Sequence, residues 1–469
     1  MSNLLKKNLF NFSDDNKLNL VIDNTFIKNM KNEESQNPFQ NLINSSNKTT
    51  TNPTTENLNQ FYKIYTNRLQ YFRPKIKEDA IEKFPSKSTF YNKILDIQPT
   101  NLSQSIKKNQ EVNSIDPETF CWAIGTIYTE MKYKPDILNQ VSEDLYGLPE
   151  RPNNYVYKEG NDESEDANKE IMFEDESGRI ILQFDHTNIE KEILVTGVVV
   201  GILGYVDINN DLQVIDYCFP PKLQPPLVGN LKQENSKILL ISGLDLSQDT
   251  NIEKLTTLQS YLSGAINHNC NYESNNLIIL GDSLLSYNNL AMFNEFLSTV
   301  IRAKTITLIP SLNDPSDRLF PQRPINLKLF DRLLQLNSND VLSLQTNPTY
   351  WNSFKVFLEA GDTINDIVKY SDYNNDSDRL EIMKNFIKWQ NLAPTAPDTL
   401  SIQPFDINEI DDPFVLKQEY PRAIIFGNQP SFLKTSYENV ELIGVPKFAT
   451  TNQLLELDLN SFKYKLIQL

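Results

Sequence analysis

Between Ser236 and Asp314 the chain alternates short aliphatic runs with amphipathic stretches. The runs are Ile238-Leu239-Leu240-Ile241, Leu277-Ile278-Ile279-Leu280 and Thr305-Ile306-Thr307-Leu308-Ile309. Between them, Ile252, Leu255, Leu258 and Leu262, then Leu290, Phe293, Leu297 and Ile301, recur at helical spacing. Strands apolar on both faces and joined by such helices predict a right-handed β-α-β-α-β unit of a parallel sheet. Ligands gather at the carboxyl ends of such strands. The candidate chemistry therefore lies in Ser242-Gly243-Leu244-Asp245, Gly281-Asp282 and Pro310-Ser311-Leu312-Asn313-Asp314.

Upstream, residues 1–55 are dominated by Asn, Ser, Thr and Lys and are expected to be a disordered Asn-rich tail, with Leu18–Phe26 and Phe39–Ile43 as candidate short anchors. Residues 56–110 read as an N-terminal helical segment, opened by the stripe Leu58, Phe61, Tyr62, Tyr65, Leu69 and Phe72 and ended by Pro74. Residues 111–228 have β texture. Strand-like runs cover 120–129, 180–184 and 193–205, the last with Gly197, Gly201 and Gly204 at bends, and Leu212 to Phe219 closes a hairpin. This pattern suggests an OB-type barrel, with 159–170 (EGNDESEDANKE) as an acidic loop. Pro220 to Pro226 reads as a linker. In 236–469, beyond the central unit, strands are expected at 354–358, 423–426 and 442–445, a helix at 380–389, and a final strand pair in 454–469.

Composition narrows the function. The 469 residues carry a net charge of −17, the wrong sign for a free-standing binder of phosphate backbones. A barrel that is not basic points to protein contact on its exposed face rather than single-strand binding. Cys121, Cys218 and Cys270 have no paired spacing, which fits a reducing compartment and gives no zinc ribbon. No apolar run reaches the roughly 18 residues of a membrane span, and 1–10 lacks a signal-peptide core, so an intracellular protein with no membrane role is expected.

Strand, Gly-Asp, then Pro-x-x-Asn-Asp resembles the calcineurin-like metallophosphoesterases, in which two metals held by imidazoles and carboxylates activate water. Laid on their motifs, Gly243 stands where a metal-binding Asp is expected and Asp245 where a His is expected. Asp282 is retained, Leu312 and Asn313 replace an Asn-His pair, and Asn428 and Pro430 fall where two histidines should be. The whole chain holds two histidines, His186 and His268, placed at no expected strand end. No catalytic or metal-binding residues are therefore expected. The aspartates Asp245, Asp282 and Asp314 are expected to be solvated or capping groups, and no cofactor is expected.

Loss of ligands in this pattern resembles the B-subunits of replicative DNA polymerases, and within them the small, second subunits of polymerase delta. The resemblance is carried by residues 62–74 (YKIYTNRLQYFRP), 94–99 (ILDIQP), 121–126 (CWAIGT), Val195-Thr196-Gly197, 216–219 (DYCF), Ser242-Gly243-Leu244, 394–400 (PTAPDTL), Asp412-Pro413-Phe414 and 427–432 (GNQPSF). It implies a fold of α/β plus β class: an OB-type barrel packed on a degenerate metallophosphoesterase domain, with a helical N-terminal segment. It also implies a nuclear, non-catalytic scaffold in DNA replication and repair. The implied partners are the cysteine-rich C-terminal domain of the polymerase delta catalytic subunit, a third subunit and the polymerase zeta catalytic subunit, with the sliding clamp and DNA reached indirectly. The alternatives are an active metal-dependent phosphoesterase or exonuclease, and a single-strand DNA-binding OB protein.

Overall fold

The computed structural model describes residues 25–51, 60–98, 115–131, 169–184, 193–226, 236–246, 251–266, 275–284, 289–331, 333, 341–371, 375–403 and 411–469. His186, His268, Cys270 and residues 159–168 of the acidic loop lie outside them.

The predicted central unit is present. Strands β7 (Lys237–Ile241), β8 (Asn276–Leu280) and β9 (Thr305–Ile309) are parallel and joined by α4 (Asn251–Leu262) and α5 (Leu290–Val300). β10 (Leu342–Leu344) joins one side, and the hairpin of β16 (Gln453–Asp458) and β17 (Tyr464–Gln468) joins the other through β7. A second sheet has the order β11 (Thr349–Trp351), β12 (Val356–Glu359), β13 (Ala423–Gln429), β15 (Val440–Pro446), β14 (Leu433–Tyr437). The aliphatic runs alternate between two cores, because successive side chains on a strand point to opposite faces. Ile238, Leu240, Ile278 and Leu280 meet Val356, Leu358, Ile425 and Ile443 of the other sheet. Leu239, Ile241, Leu277 and Ile279 pack under Leu255, Leu258, Phe293 and Leu297 of the helices. On the far side of the second sheet, Phe357, Ile424 and Leu442 pack with Ile364 and Ile367 of α6 (Asp362–Lys369) and Ile382 and Phe386 of α7 (Asp376–Trp389). The result is a helix-sheet-sheet-helix sandwich.

Ahead of it lies a closed barrel. β2 (Cys121–Met131), β3 (Lys169–Glu174), β4 (Arg179–Gln183), β6 (Leu212–Cys218) and β5 (Val199–Val206) pair in that order, and β2 closes on β5; β1 (Thr89–Phe90) adds in parallel to β2. β2 and β5 are buried on both faces. Ala123, Ile127, Val200 and Ile202 share one core, while Trp122, Ile124, Val199 and Leu203 share another with Leu69, Phe72, Ile76 and Ala80 of α3 (Gln60–Lys83). The run 193–205 is not one strand. It turns at Gly197, whose φ is +89°, and becomes a strand only at Val199.

Two N-terminal expectations are corrected. Within 1–55, residues 25–51 fold as α1 (Thr25–Glu33) and α2 (Pro38–Thr51), joined by a short 3₁₀ turn. Phe26, Ile27 and Met30 recur at helical spacing and are buried against Trp351 and Phe354, while Phe39 packs edge-on to Phe357. Each buried large apolar side chain contributes roughly 1.5–3 kcal/mol, which offsets part of the ordering of these short polar helices. Asn37 Nδ2 adds donations of 3.0 Å to Thr346 and to Thr349 Oγ1. Pro74 does not end the next helix; α3 runs through it to Lys83. Burial of Ile76, Ala80 and the following Phe84 holds the continuation in place despite the hydrogen bond that proline removes. Of the expected stripe, Leu69 and Phe72 are buried, whereas Tyr62 is 65% exposed.

Candidate functional site

The strand ends converge on Asp282. Its residue lies just past β8 in the left-handed region at φ 50°, and it is 7% exposed. Oδ1 accepts from Ser311 Oγ at 2.6 Å and from Asn313 Nδ2 at 3.0 Å. Ser311 Oγ also accepts the Asp282 N–H at 3.0 Å. On the other oxygen, Lys447 Nζ approaches Oδ2 at 3.5 Å.

Beside it, Asp314 is an anchor for the loops. Oδ1 takes the N–H groups of Ser283 at 2.9 Å and Leu284 at 2.8 Å, and Oδ2 takes the Ser311 N–H at 2.9 Å. Burial pushes its carboxyl up to about 6, against these donors. Asp282 and Asp314 are thus buried and hydrogen-bonded, not the solvated groups that loop-tip aspartates usually are. Asp245 joins through its backbone, its N–H donating to the Asp282 carbonyl at 2.9 Å.

Gly243 and Asn428 meet across the sheets. Ser242 Oγ donates to the Leu280 carbonyl at 2.8 Å and accepts the Asn428 N–H at 2.6 Å, fixing the end of β13 against the end of β7. Gly243 has φ +62°, and a Cβ there would stand 2.3 Å from Lys447 Cγ and 2.7 Å from Asn428 Oδ1. The side chains of Lys447 and Asn428 therefore occupy the space into which residue 243 would project. Asn428 Nδ2 donates to the Ala360 carbonyl at 2.8 Å, while its buried Oδ1 has no hydrogen-bond partner.

The remaining positions diverge. Leu312 packs toward the core on the α7 side of the second sheet, and Pro430 is exposed beyond the end of β13. A second pair of acids, Glu359 and Asp362, sits at and just past the end of β12. Glu359 accepts the Asp362 N–H at 2.6 Å and the Thr363 hydroxyl at 3.1 Å, and Asp362 Oδ2 accepts Asn347 Nδ2 at 2.7 Å. Burial raises both carboxyls, Glu359 to about 7.

The motifs place Gly243, Asp282, Asn313 and Asn428 together, as strand-end reasoning expects. They miss Lys447, and they assign no part to Ser242 and Ser311, which lie in the strand-end runs. Lys447 was reachable by the same logic, because it follows β15 directly. Chemically, the cluster sets one ammonium against the Asp282 carboxylate, with Asp314 taken up by three loop N–H groups and with amides and hydroxyls around them. Among the described residues no group of three or more His, Cys, Asp or Glu is placed to hold a metal ion.

A family model for the OB-fold domain of the DNA polymerase delta subunit matches residues 60–217, and one for the B-subunit of DNA polymerase alpha/epsilon matches residues 238–434. The DNA polymerase delta small subunit of Saccharomyces cerevisiae is 34% identical, covering 87% of this chain and 89% of its own length. The chain belongs to the small-subunit family of DNA polymerase delta. DNA polymerase delta subunit 2 of Drosophila melanogaster is 25% identical over 87% of this chain and 93% of its own. The small subunit of Arabidopsis thaliana is 27% identical over 73% and 80%.

Membership gives the residues of the seam a context. Arg68 of α3 is 2% exposed; Nε donates to Asp412 Oδ2 at 2.7 Å, and Nη1 donates to the carbonyls of Ala396 at 2.7 Å and Ala393 at 3.2 Å. A Cβ on Gly197 would stand 1.9 Å from the Pro394 carbonyl oxygen. Motifs dispersed along the chain, around 68, 197, 394 and 412, thus form one joint between barrel and sandwich in this small subunit.

Proposed function

We propose that this chain is a non-catalytic scaffold subunit of a DNA polymerase delta assembly. In this reading the strand-end cluster is a vestigial phosphoesterase site, marked by Gly243, Asp245, Asp282, Leu312, Asn313, Asn428 and Pro430. The observation that carries it is Lys447. Its ammonium faces Asp282 at 3.5 Å and its stem fills the space beside Gly243, so a protein cation stands where the resemblance expects a metal. A two-metal mechanism needs several carboxylates and imidazoles converging on each ion, whereas here Asp282 faces an ammonium and Asp314 is taken up by loop N–H groups.

The barrel, residues 111–228, and the sandwich, residues 236–469, form a platform held rigid by the Arg68 seam. It brings together the cysteine-rich C-terminal domain of the catalytic subunit and a third subunit that reaches the sliding clamp. The polymerase zeta catalytic subunit is a second client. Holding the partners in one assembly raises the effective concentration of polymerase at the clamp without chemistry by this chain. The setting is the nucleus, in replication and repair.

Affinity purification of the tagged chain, followed by metal analysis and a phosphodiester hydrolysis assay, tests this. The expected outcome is recovery of a family B polymerase catalytic subunit at near-equal stoichiometry, with no transition metal and no hydrolysis by the isolated chain. A lone, metal-loaded chain that hydrolyses phosphodiesters would sink the reading.

A further inference from the structure

Among the described residues, β17 is the outer strand of its sheet, paired with β16 alone. In an antiparallel pair, alternate residues bond the neighbour while those between turn their N–H and C=O outward. Asp458 N–H donates to the Lys463 carbonyl and Leu469 N–H to the Asn452 carbonyl. With Glu456 opposite Lys465 and Leu454 opposite Ile467, residues 463, 465, 467 and 469 are those that bond β16. The backbone groups of Tyr464, Leu466 and Gln468 therefore point to the open edge.

The side chains there are also unusual for a free edge. Tyr464 is 48% and Leu466 36% exposed, and Phe432, just before β14, lies against Tyr464 at 4.7 Å between ring centroids. Around this apolar strip Lys463 and Lys465 are exposed, and the Lys434 ammonium, paired with Glu441 at 3.2 Å, lies 5.0 Å from the Tyr464 ring centroid. On a chain of net charge −17, Lys463 and Lys465 give this edge exposed positive charge. The other side of the same sandwich is treated differently. β10 and β11 lie under the chain's own α1 and α2, tied by Glu34 to Gln345 Nε2 and by Asn37 to Thr349.

We propose that the edge of β17 accepts an added strand: an extended, acidic segment of a partner subunit, with apolar side chains at alternate positions. The outward N–H and C=O groups supply the ladder, Tyr464, Leu466 and Phe432 take the apolar side chains, and Lys463 and Lys465 pair with the acidic ones. A second copy of this chain is disfavoured as occupant, because two lysine-bearing edges repel; lysines on an edge strand discourage self-pairing.

The inference rests on the polymerase-assembly reading, and one experiment separates their failures. Hydrogen exchange, read at single residues, is compared for the chain alone and in the purified assembly. The N–H groups of Tyr464, Leu466 and Gln468 are expected to slow about tenfold or more in the assembly, while those of Lys465 and Ile467, already bonded to β16, change little. The double variant Lys463→Glu, Lys465→Glu should abolish the slowing at the three outward groups, with unchanged protection at 465 and 467 showing that the hairpin is intact. An assembly that forms with all three outward groups still exchanging freely overturns the strand-addition inference alone. No assembly at all overturns the reading beneath it. Slowing that instead scales with concentration of the chain alone would mean self-pairing, and the acidic partner would be rejected.

Discussion

At the seam between α3 and the sandwich, Arg68 is shut away from water and held by a carboxylate and two carbonyls, whereas at the strand ends Lys447 keeps part of its side chain in solvent and reaches Asp282 at 3.5 Å. Both are cations beside an aspartate, but their energetics differ. A charge that is fully desolvated cannot lose its partner cheaply, because what remains is an unpaired ion in low dielectric. A charge at a rim can turn back to water. The seam should therefore behave as a structural lock, and the strand-end pair as a filled space whose charge matters less than its volume.

The largest effect is expected from breaking the lock. Arg68→Ala strands Asp412 and leaves the Ala393 and Ala396 carbonyls without this donor, and should lower stability by about 3–5 kcal/mol. Urea unfolding monitored by fluorescence measures it. A loss under about 1 kcal/mol would erase the distinction between the two sites, since that is the rim value.

Next comes an attempt to restore the carboxylate that the strand-end motif lacks. Gly243→Asp places a Cβ 2.3 Å from Lys447 Cγ on a backbone at φ +62°. Overpacking and left-handed strain together should cost about 2–4 kcal/mol. If volume is the issue, adding Lys447→Ala should recover a good part of that loss, an interaction readable in a double-mutant cycle. A chain that accepts Gly243→Asp without loss would mean that the space beside residue 243 is not filled as described.

Buried acid near the seam gives a smaller, pH-dependent test. Asp366 on α6 accepts the hydroxyls of Thr395 at 2.6 Å and Thr399 at 2.7 Å, and burial raises its carboxyl from 3.8 to about 6. A group whose folded value lies above its unfolded one holds its proton more tightly when folded. Its contribution is thus fully present below about pH 4 and is lost as pH rises through about 6. Asp366→Asn, which mimics the protonated form, should gain on the parent by up to about 3 kcal/mol across that window. Thermal unfolding at pH 4 and pH 7 reads the difference, and a gap that does not move with pH removes Asp366 as its source.

How far these sites were legible in the sequence follows from what each signal depends on. The central β-α-β-α-β unit could be read because Ile238 to Ile241, Leu277 to Leu280 and Thr305 to Ile309 are apolar on both faces. Gly243, Asp282, Asn313 and Asn428 could be brought together because strand ends converge whatever follows them. Three things were hidden. α1 and α2 are polar by composition. Phe26 and Phe39–Ile43 could be marked as candidate anchors, and their apolar side chains are buried, but the helices they belong to and the surface they pack on, Trp351, Phe354 and Phe357, could not be read. β3 begins inside the acidic run, where Lys169-Glu170 masks Ile171 and Phe173. Arg68 looks like one more exposed helix charge until Asp412, 344 positions away, closes over it.

The smallest effect should come from Lys447 itself. Its side chain is 28% exposed and that of Asp282 10%, so Lys447→Ala removes a partly screened pair whose loss should cost about 0.5–1 kcal/mol, less in high salt. Asp282 keeps Ser311 Oγ and Asn313 Nδ2 as donors, which is why the loss stays small. The variant also separates two meanings of the ammonium. If Lys447 merely displaces a metal that the other groups could still bind, Lys447→Ala should gain thermal stability when millimolar Mn²⁺ is added. The cluster argues otherwise: with Gly243 bearing no ligand, Leu312 turned to the core, Asn428 committed to the Ala360 carbonyl and Asp314 taken up by three loop N–H groups, the Asp282 carboxylate alone is too little to hold the ion. The expected melting temperature is the same with and without Mn²⁺, and a metal-dependent rise would reopen the strand ends as a working site.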